Sequence, residues 1–282
     1  MRSASGAVSG RRSFAASENR SPTAPKYAAL VSSRDVTETP PGHGAGAEPD
    51  DEYAPILPGP GASDYERYLR TDELLSLQKT PEEMAHRDEL LFQTVHQSSE
   101  LWLKLAWFEV ETAIRYLRER KLAAAIRLLR RATDAVKTTI GLLDMLEHMS
   151  PWEYTRGIRP VLGHGSGFDS PGWNGVRRVS PELGSAFHEL RREAGLSVLE
   201  VYTRGREHED LYQLAELLTE WDERVTLWRI RHFKVVERII GGEVVGTQGT
   251  PVELLGGLIH RRFYPELWDV RNELTELAKQ EE

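Results

Sequence analysis

The sequence predicts an all-α fold, a bundle of long helices, and three observations predict it. Apolar residues recur at spacings of three and four over stretches far longer than a strand. Strand signals are nearly absent; residues 243–245 are the only candidate, and a short one. Helix starts and stops are explicit, as Thr-Pro-x-Glu and Ser-Pro-Glu on one side and Gly-Gly or Ser-Pro on the other.

Residues 1–60 are rich in Ser, Ala, Gly and Pro and lack aliphatic clusters. Such a segment cannot bury enough apolar surface to offset its ordering entropy, so it reads as a disordered tail. Its Arg- and Ser-rich, acid-poor start faintly resembles an organelle transit peptide, but a plain tail is the preferred reading. Residues 61–282 read as one helical domain. Residues 64–76 form the first helix, with apolar Tyr65, Tyr68, Leu69, Leu74 and Leu75. Thr80-Pro81-Glu82-Glu83 starts a helix that runs to about Glu119. Residues 121–149 make a second long helix, stopped by Ser150-Pro151. Residues 156–182 are punctuated by Gly and Pro and read as loop, with Ser180-Pro181-Glu182 opening a short helix to Glu193. Residues 209–240 make a third long helix, ended by Gly241-Gly242. Thr250-Pro251-Val252-Glu253 opens another, to about His260, and Pro265 opens the last.

Composition narrows the function. A net charge of −8 argues against a general nucleic-acid binder. No apolar run reaches membrane-spanning length, and no signal-peptide core is visible. With no cysteine, disulfides, zinc–thiolate sites, iron–sulfur clusters and a cysteine-ligated haem are excluded, and a cytoplasmic location is the default.

Two histidines stand in apolar stripes. Trp221, Val225, Trp228, His232, Val236 and Ile239 recur at helical spacing, and His96 lies near Phe92, Val95, Ser99 and Trp102. Each could be a core histidine bonded to a carbonyl. Each could equally face a haem, since neutral imidazole is a good iron ligand and a bundle core a good porphyrin slot. Arg229, Arg231 and Lys234 are near enough in sequence to meet haem propionates, or they form a solvated face. No HExxH occurs. The glycine-rich stretch 163–167 follows no strand, so a mobile loop is a better reading than a phosphate cradle. The basic run 115–131 alternates with Leu, Ala and Ile and reads as one face of an amphipathic helix.

Taken together, the stretches HRDELLFQTVHQSSELWLKL (86–105), LWRIRHFKVVERIIGG (227–242), FYPELWDVR (263–271), SDYERYLRTDELLSLQ (63–78) and SGFDS (166–170) resemble the tryptophan 2,3-dioxygenase family, in that family's order. The resemblance implies haem b in the bundle core, with His232 as axial ligand and His96 on the distal side against the indole N–H. It implies Phe92 on the substrate ring, Arg159 on the substrate carboxylate, Thr247 on its ammonium and carboxylate, and Tyr154 beside them. Tyr65, Tyr68 and Leu69 match residues that reach into a neighbouring subunit's pocket, so the resemblance implies a homo-oligomer, a tetramer or dimer. The implied partners are an aromatic amino acid and dioxygen or peroxide.

Departures from the pattern stand out. Tyr154 is five residues before Arg159 where the family has four, and Pro160 follows the arginine. Thr247 is one residue farther from His232, with Gln248-Gly249-Thr250-Pro251 after it. SGFDS continues as Pro171-Gly172-Trp173, and the span from there to His232 is shorter than in ordinary members. These leave two enzymatic expectations, dioxygenation of tryptophan or a substituted tryptophan, and specialised monooxygenation to an oxindole or hydroxylated amino acid. A third expectation, from another class, is a helical haem-binding protein without turnover.

Overall fold

The computed structural model describes residues 54–280. Up to residue 53, the expected tail lies outside the described residues. The chain divides into two compact units, Met1–Leu77 and Gln78–Glu282. In the first, α1 (Asp64–Leu69) starts at a reciprocal cap between Ser63 and Glu66, and α2 (Thr71–Leu75) follows at once. Arg70, at φ 54°, separates them, so the single helix expected over 64–76 is two.

In the second unit the chain order is α3 (Glu89–Arg118), α4 (Leu122–Leu146), α5 (Pro151–Glu153), a π turn (Tyr154–Ile158), α6 (Arg159–Val161) and a 3-10 turn (Gly167–Asp169). Then come α7 (Pro171–Glu193), α8 (Val198–Thr203), α9 (Glu209–Ile240), α10 (Glu253–Gly257), a 3-10 turn (Leu258–His260) and α11 (Pro265–Gln280). No strand occurs among the described residues; the 243–245 candidate contributes one isolated bridge, Val245 to Pro251. No helix among them is long and apolar enough to cross a membrane.

Four helices make the bundle. α3 packs on α4 and α7, and α9 packs on the same two, so α3 and α9 occupy opposite corners. One core cluster fills the half where α3 meets α4, from Leu103 to Leu117 and from Ala125 to Val136, with Leu183, Phe187, Leu214, Leu218 and Trp221 across from them. A smaller cluster around Val95, Leu146, Met149, Ile158, Val235 and Ile239 fills the other end.

Two expectations are corrected. The helix expected from Thr80 starts at Glu89. Thr80 to Met84 closes one turn, with the Glu83 carboxylate on the Thr80 N–H at 2.9 Å. Propagation stops there because the buried Glu89 carboxylate takes the Ala85 N–H (2.8 Å) and the Lys79 ammonium, folding the segment back over the first turn of α3. The short helix expected from Ser180 is instead the second half of α7, which begins at Pro171 and passes through Pro181. Proline removes a helix hydrogen bond, but Ser180 is pinned from two sides: its hydroxyl accepts from the Trp221 indole (2.9 Å) and its carbonyl from the Tyr264 hydroxyl (2.8 Å).

Candidate active site

The corner-to-corner space between α3 and α9 is not filled. It holds a cavity of about 260 Å³. Phe92 and His96 come from α3, Trp228 and His232 from α9, Trp173 and Arg177 from the start of α7. Residues 165–168 and 246–250 close the polar end. Every wall belongs to the second unit.

His232 is deeply desolvated, and that burial, with a smaller contribution from His96, pushes its pKa down to about 4. Its ring makes no hydrogen bond among the described residues; it lies flat on Trp228, centroids 4.7 Å apart and planes 9° from parallel. On the facing wall, His96 Nδ1 is 2.7 Å from the Phe92 carbonyl. A carbonyl only accepts, so Nδ1 carries the proton and the neutral ring keeps a lone pair on Nε2. The His96 ring has a free surface because it borders the cavity, yet the surrounding protein desolvates it and lowers its pKa. Phe92 stacks on it at 4.0 Å and lies 6.0 Å from Tyr154.

The extra residue between Tyr154 and Arg159 is absorbed in the π turn. There the Arg159 N–H reaches the Tyr154 carbonyl, five residues back. Pro160, with no N–H and a ring that crowds the carbonyl four before it, favours this widening. Gly157 lets the turn sit against the 85–86 loop, where a Cβ would come 3.2 Å from His86 Cβ. Both Tyr154 and Arg159 therefore line the cavity despite the changed spacing. Burial raises the Tyr154 pKa, against a smaller opposing effect of Arg159. Arg159 donates to the Val245 carbonyl (2.5 Å), the Thr247 hydroxyl to the Gly165 carbonyl (2.5 Å), and the Gln248 amide to Asp169 (2.7 Å).

Of the cations expected near His232, only Arg229 lines the cavity. Arg231 is spent on Asp144 of α4 and on Glu147 just after that helix, at 2.6 and 2.7 Å, and Lys234 on Glu237. Helical rotation explains the difference: Arg229 lies three residues before His232 and shares its face, while Arg231 lies one before and points away. Arg177 joins Arg229 instead. Neither they nor Arg159 has a carboxylate within ion-pair distance among the described residues, and burial lowers the pKa of Arg177 and Arg229.

Comparison with known proteins bears on this cavity. The tryptophan 2,3-dioxygenase family profile matches residues 58–189. The chain is 33% identical over 261 residues to the tryptophan 2,3-dioxygenase of Bacillus thuringiensis (strain Al Hakam), covering 74% of this chain and 92% of the relative. To that of Myxococcus xanthus (strain DK1622) it is 34% identical over 266 residues, 76% and 91% of the two chains. To that of Erythrobacter litoralis (strain HTCC2594) it is 32% identical over 259 residues, 73% and 97%.

The chain belongs to the tryptophan 2,3-dioxygenase family. As a member it is an oxidoreductase with haem as its expected cofactor. The residues present fit that group. No cluster of three or more His, Cys, Asp or Glu suited to a bare metal ion occurs among the described residues, whereas one neutral imidazole suits a metal that brings its own equatorial ligands. The Trp228 Nε1–H in the wall is buried without a partner, and the guanidinium groups of Arg177 and Arg229, engaged by carbonyl oxygens, have no carboxylate paired with them among the described residues. A flat guest with acidic edges answers all of these at once.

Sequence reasoning passed over three residues. Arg177 sits in a segment read as loop, which hid its helical face. Glu100 takes the Ser170 hydroxyl and the Gly172 N–H (2.8 Å), tying the start of α7 to the His96 helix; its signal was its place inside the His-Gln-Ser-Ser-Glu-Leu-Trp run. Asp222 is fully buried, and one oxygen accepts from Phe263 N–H (3.0 Å), Tyr264 N–H (3.3 Å) and the Trp268 indole (3.1 Å). It fixes the corner that brings Phe263 to the cavity, and nothing in its local sequence marks it.

Proposed function

We propose that the protein is a haem-dependent oxygenase acting on the indole ring of L-tryptophan or a substituted tryptophan, dioxygenating C2 and C3 to an N-formylkynurenine-type product. The observation that carries this reading is the pair of imidazoles on opposite walls of one cavity, one without a hydrogen bond among the described residues and one with its tautomer set by a backbone carbonyl. On this reading His232 would hold the iron of haem b, and Arg177 and Arg229 would meet the haem carboxylates. Bound haem supplies the activation of dioxygen, or of peroxide.

The chain's own residues do the rest. His96 accepts the ring N–H at Nε2 and so fixes the orientation of the indole in the cavity. Phe92 packs on the ring. Arg159 exchanges the Val245 carbonyl for the substrate carboxylate, which its planar fork suits better. Thr247 and Tyr154 complete the polar end. The apolar walls exclude water, which strengthens each polar contact and holds the substrate in one orientation.

A second reading, insertion of one oxygen atom to give an oxindole or hydroxylated amino acid, is favoured by the loading of the polar end: Thr247 and Arg159 are engaged by Gly165 and Val245. Reaction of the haem-loaded protein with L-tryptophan under isotope-labelled dioxygen, read by mass spectrometry, separates the two. Two labelled atoms in a ring-opened product support the first reading, and one labelled atom the second. No product and no substrate-induced Soret change would leave a haem-binding protein without turnover.

The proposal extends to assembly. Tyr65, Tyr68 and Leu69 stand exposed, at 68%, 77% and 46%, and on this reading reach a neighbouring subunit's pocket. Leu101, Trp102 and Phe108 give α3 an exposed apolar stripe that a second copy would cover, in a tetramer or dimer. Residues 61–282 form the catalytic domain behind an N-terminal tail, in a cytoplasm whose reducing state the cysteine-free sequence suits.

A further inference from the structure

Resting on the reading of His232 as axial ligand, we propose that Trp228 is a positioning residue that sets the plane of the His232 ring by stacking. A histidine ring turns easily about its last side-chain bond. Ligating histidines are usually held by a hydrogen bond from the second ring nitrogen to a carboxylate or carbonyl. His232 has the flat face of an indole instead, 4.7 Å away and within 9° of parallel. Trp228 lies four residues earlier on α9, the spacing that sets side chains on one helix face.

Trp228 is itself held. Trp173 packs on it from α7 at 4.2 Å and 47°. Trp173 is placed by the start of α7, where Gly172 lies so close to α3 that a Cβ would come 2.6 Å from Leu103 Cβ. Glu100 fastens that contact by accepting the Gly172 N–H at 2.8 Å. A line of contacts thus runs from the helix of His96, through α7, to the imidazole on the opposite wall. The glutamate of the His96 motif and the ring plane of His232 belong to one mechanical chain.

The test is the iron–imidazole stretching band of the ferrous haem-loaded protein by resonance Raman, with haem transfer to apomyoglobin as a second measure. Trp228→Leu shifts and broadens the band and speeds haem loss about tenfold or more, the scale of lost outer-shell support. Trp228→Phe, which keeps a flat ring, returns the band to the wild-type position and width. If the leucine variant does not fold, as judged by circular dichroism, Trp228→Met supplies the same arm with a side chain that fills irregular space. A band unchanged in the leucine or methionine variant overturns the proposal, and so does an equal change in the phenylalanine variant. His232→Gly with added imidazole tests the underlying reading separately. A wild-type band that this variant loses and imidazole restores upholds the ligand assignment; a band that survives His232→Gly without imidazole removes both.

Discussion

Two neutral imidazoles can share a cavity and still do different work, because their hydrogen bonds differ. His232 has none among the described residues and keeps a nitrogen for a metal. We expect His232→Ala to lose bound haem, measured by Soret absorbance per protein; full retention with a normal spectrum would refute the assignment. His96 is an acceptor only while neutral. Its folded pKa lies below the ordinary 6.5, chiefly through burial. As pH falls through 6.5 the unfolded chain takes the proton before the folded one, so stability drops in the window down to the folded value. Substrate binding shares the sign, since imidazolium cannot accept an N–H. Affinity for L-tryptophan, read from the Soret change, should hold at neutral pH and fall on acidification with a midpoint below 6.5, and His96→Phe should abolish that dependence. That Phe92, His96, Tyr154, Arg159, His232 and Thr247 would border one cavity was legible in part from spacing: Phe92, His96 and His232 stand in motifs whose spacing the sequence keeps, whereas Tyr154, Arg159 and Thr247 stand where it changes. Asp222 was not legible: its partners lie about 40 residues away, and a lone acid in a helix looks like a surface residue. Asp222→Ala should cost roughly 3 kcal/mol, the scale for leaving buried donors unpaired, and loosen the corner at Phe263; thermal unfolding checks it.

An exposed helix face and a helix crossing make different demands on glycine, which gives a paired test at the scale of elements. At Gly175, on α7, a Cβ would fall 2.4 Å from Trp107 Cδ1, so α7 and α3 would have to part. Gly175→Ala should destabilise by about 1–3 kcal/mol, lowering Tm by roughly 2–10 °C. Gly141, exposed in α4, meets nothing within 4 Å, and Gly141→Ala should stabilise by about 0.5–1 kcal/mol through the better helix propensity of alanine. Equal effects of the two in a thermal melt would count against the packing described. The long helices α4 and α9 were readable from periodicity and their stop signals, and α9 matches at both ends. What misled were single residues judged locally. Pro181 looked like a start, because the bonds that carry α7 past it come from Trp221 and Tyr264, far along the chain. Thr80 looked like a cap, and it does close a turn, but Glu89 turns the chain aside at Ala85.

At the scale of the whole molecule, the exposed apolar residues include Tyr65, Tyr68 and Leu69 of α1 and Leu101, Trp102 and Phe108 of α3. If copies meet there, Phe108→Glu should lower the mass seen in sedimentation, because a charge in an apolar interface is costly to desolvate. Tyr68→Ala should weaken substrate binding while leaving haem content unchanged. An unaltered mass with Phe108→Glu would count against that face as the contact. The wide turn at residues 154–158 carries a lesson for remodelling this protein. In a regular helix one added residue swings everything after it by about 100°, yet here the surplus is swallowed before Arg159 and the downstream chain stays in step. That turn is the natural place to lengthen or shorten the backbone: a designer who inserts there disturbs one loop of spiral, whereas the same insertion in α3 or α9 would turn an imidazole out of the cavity.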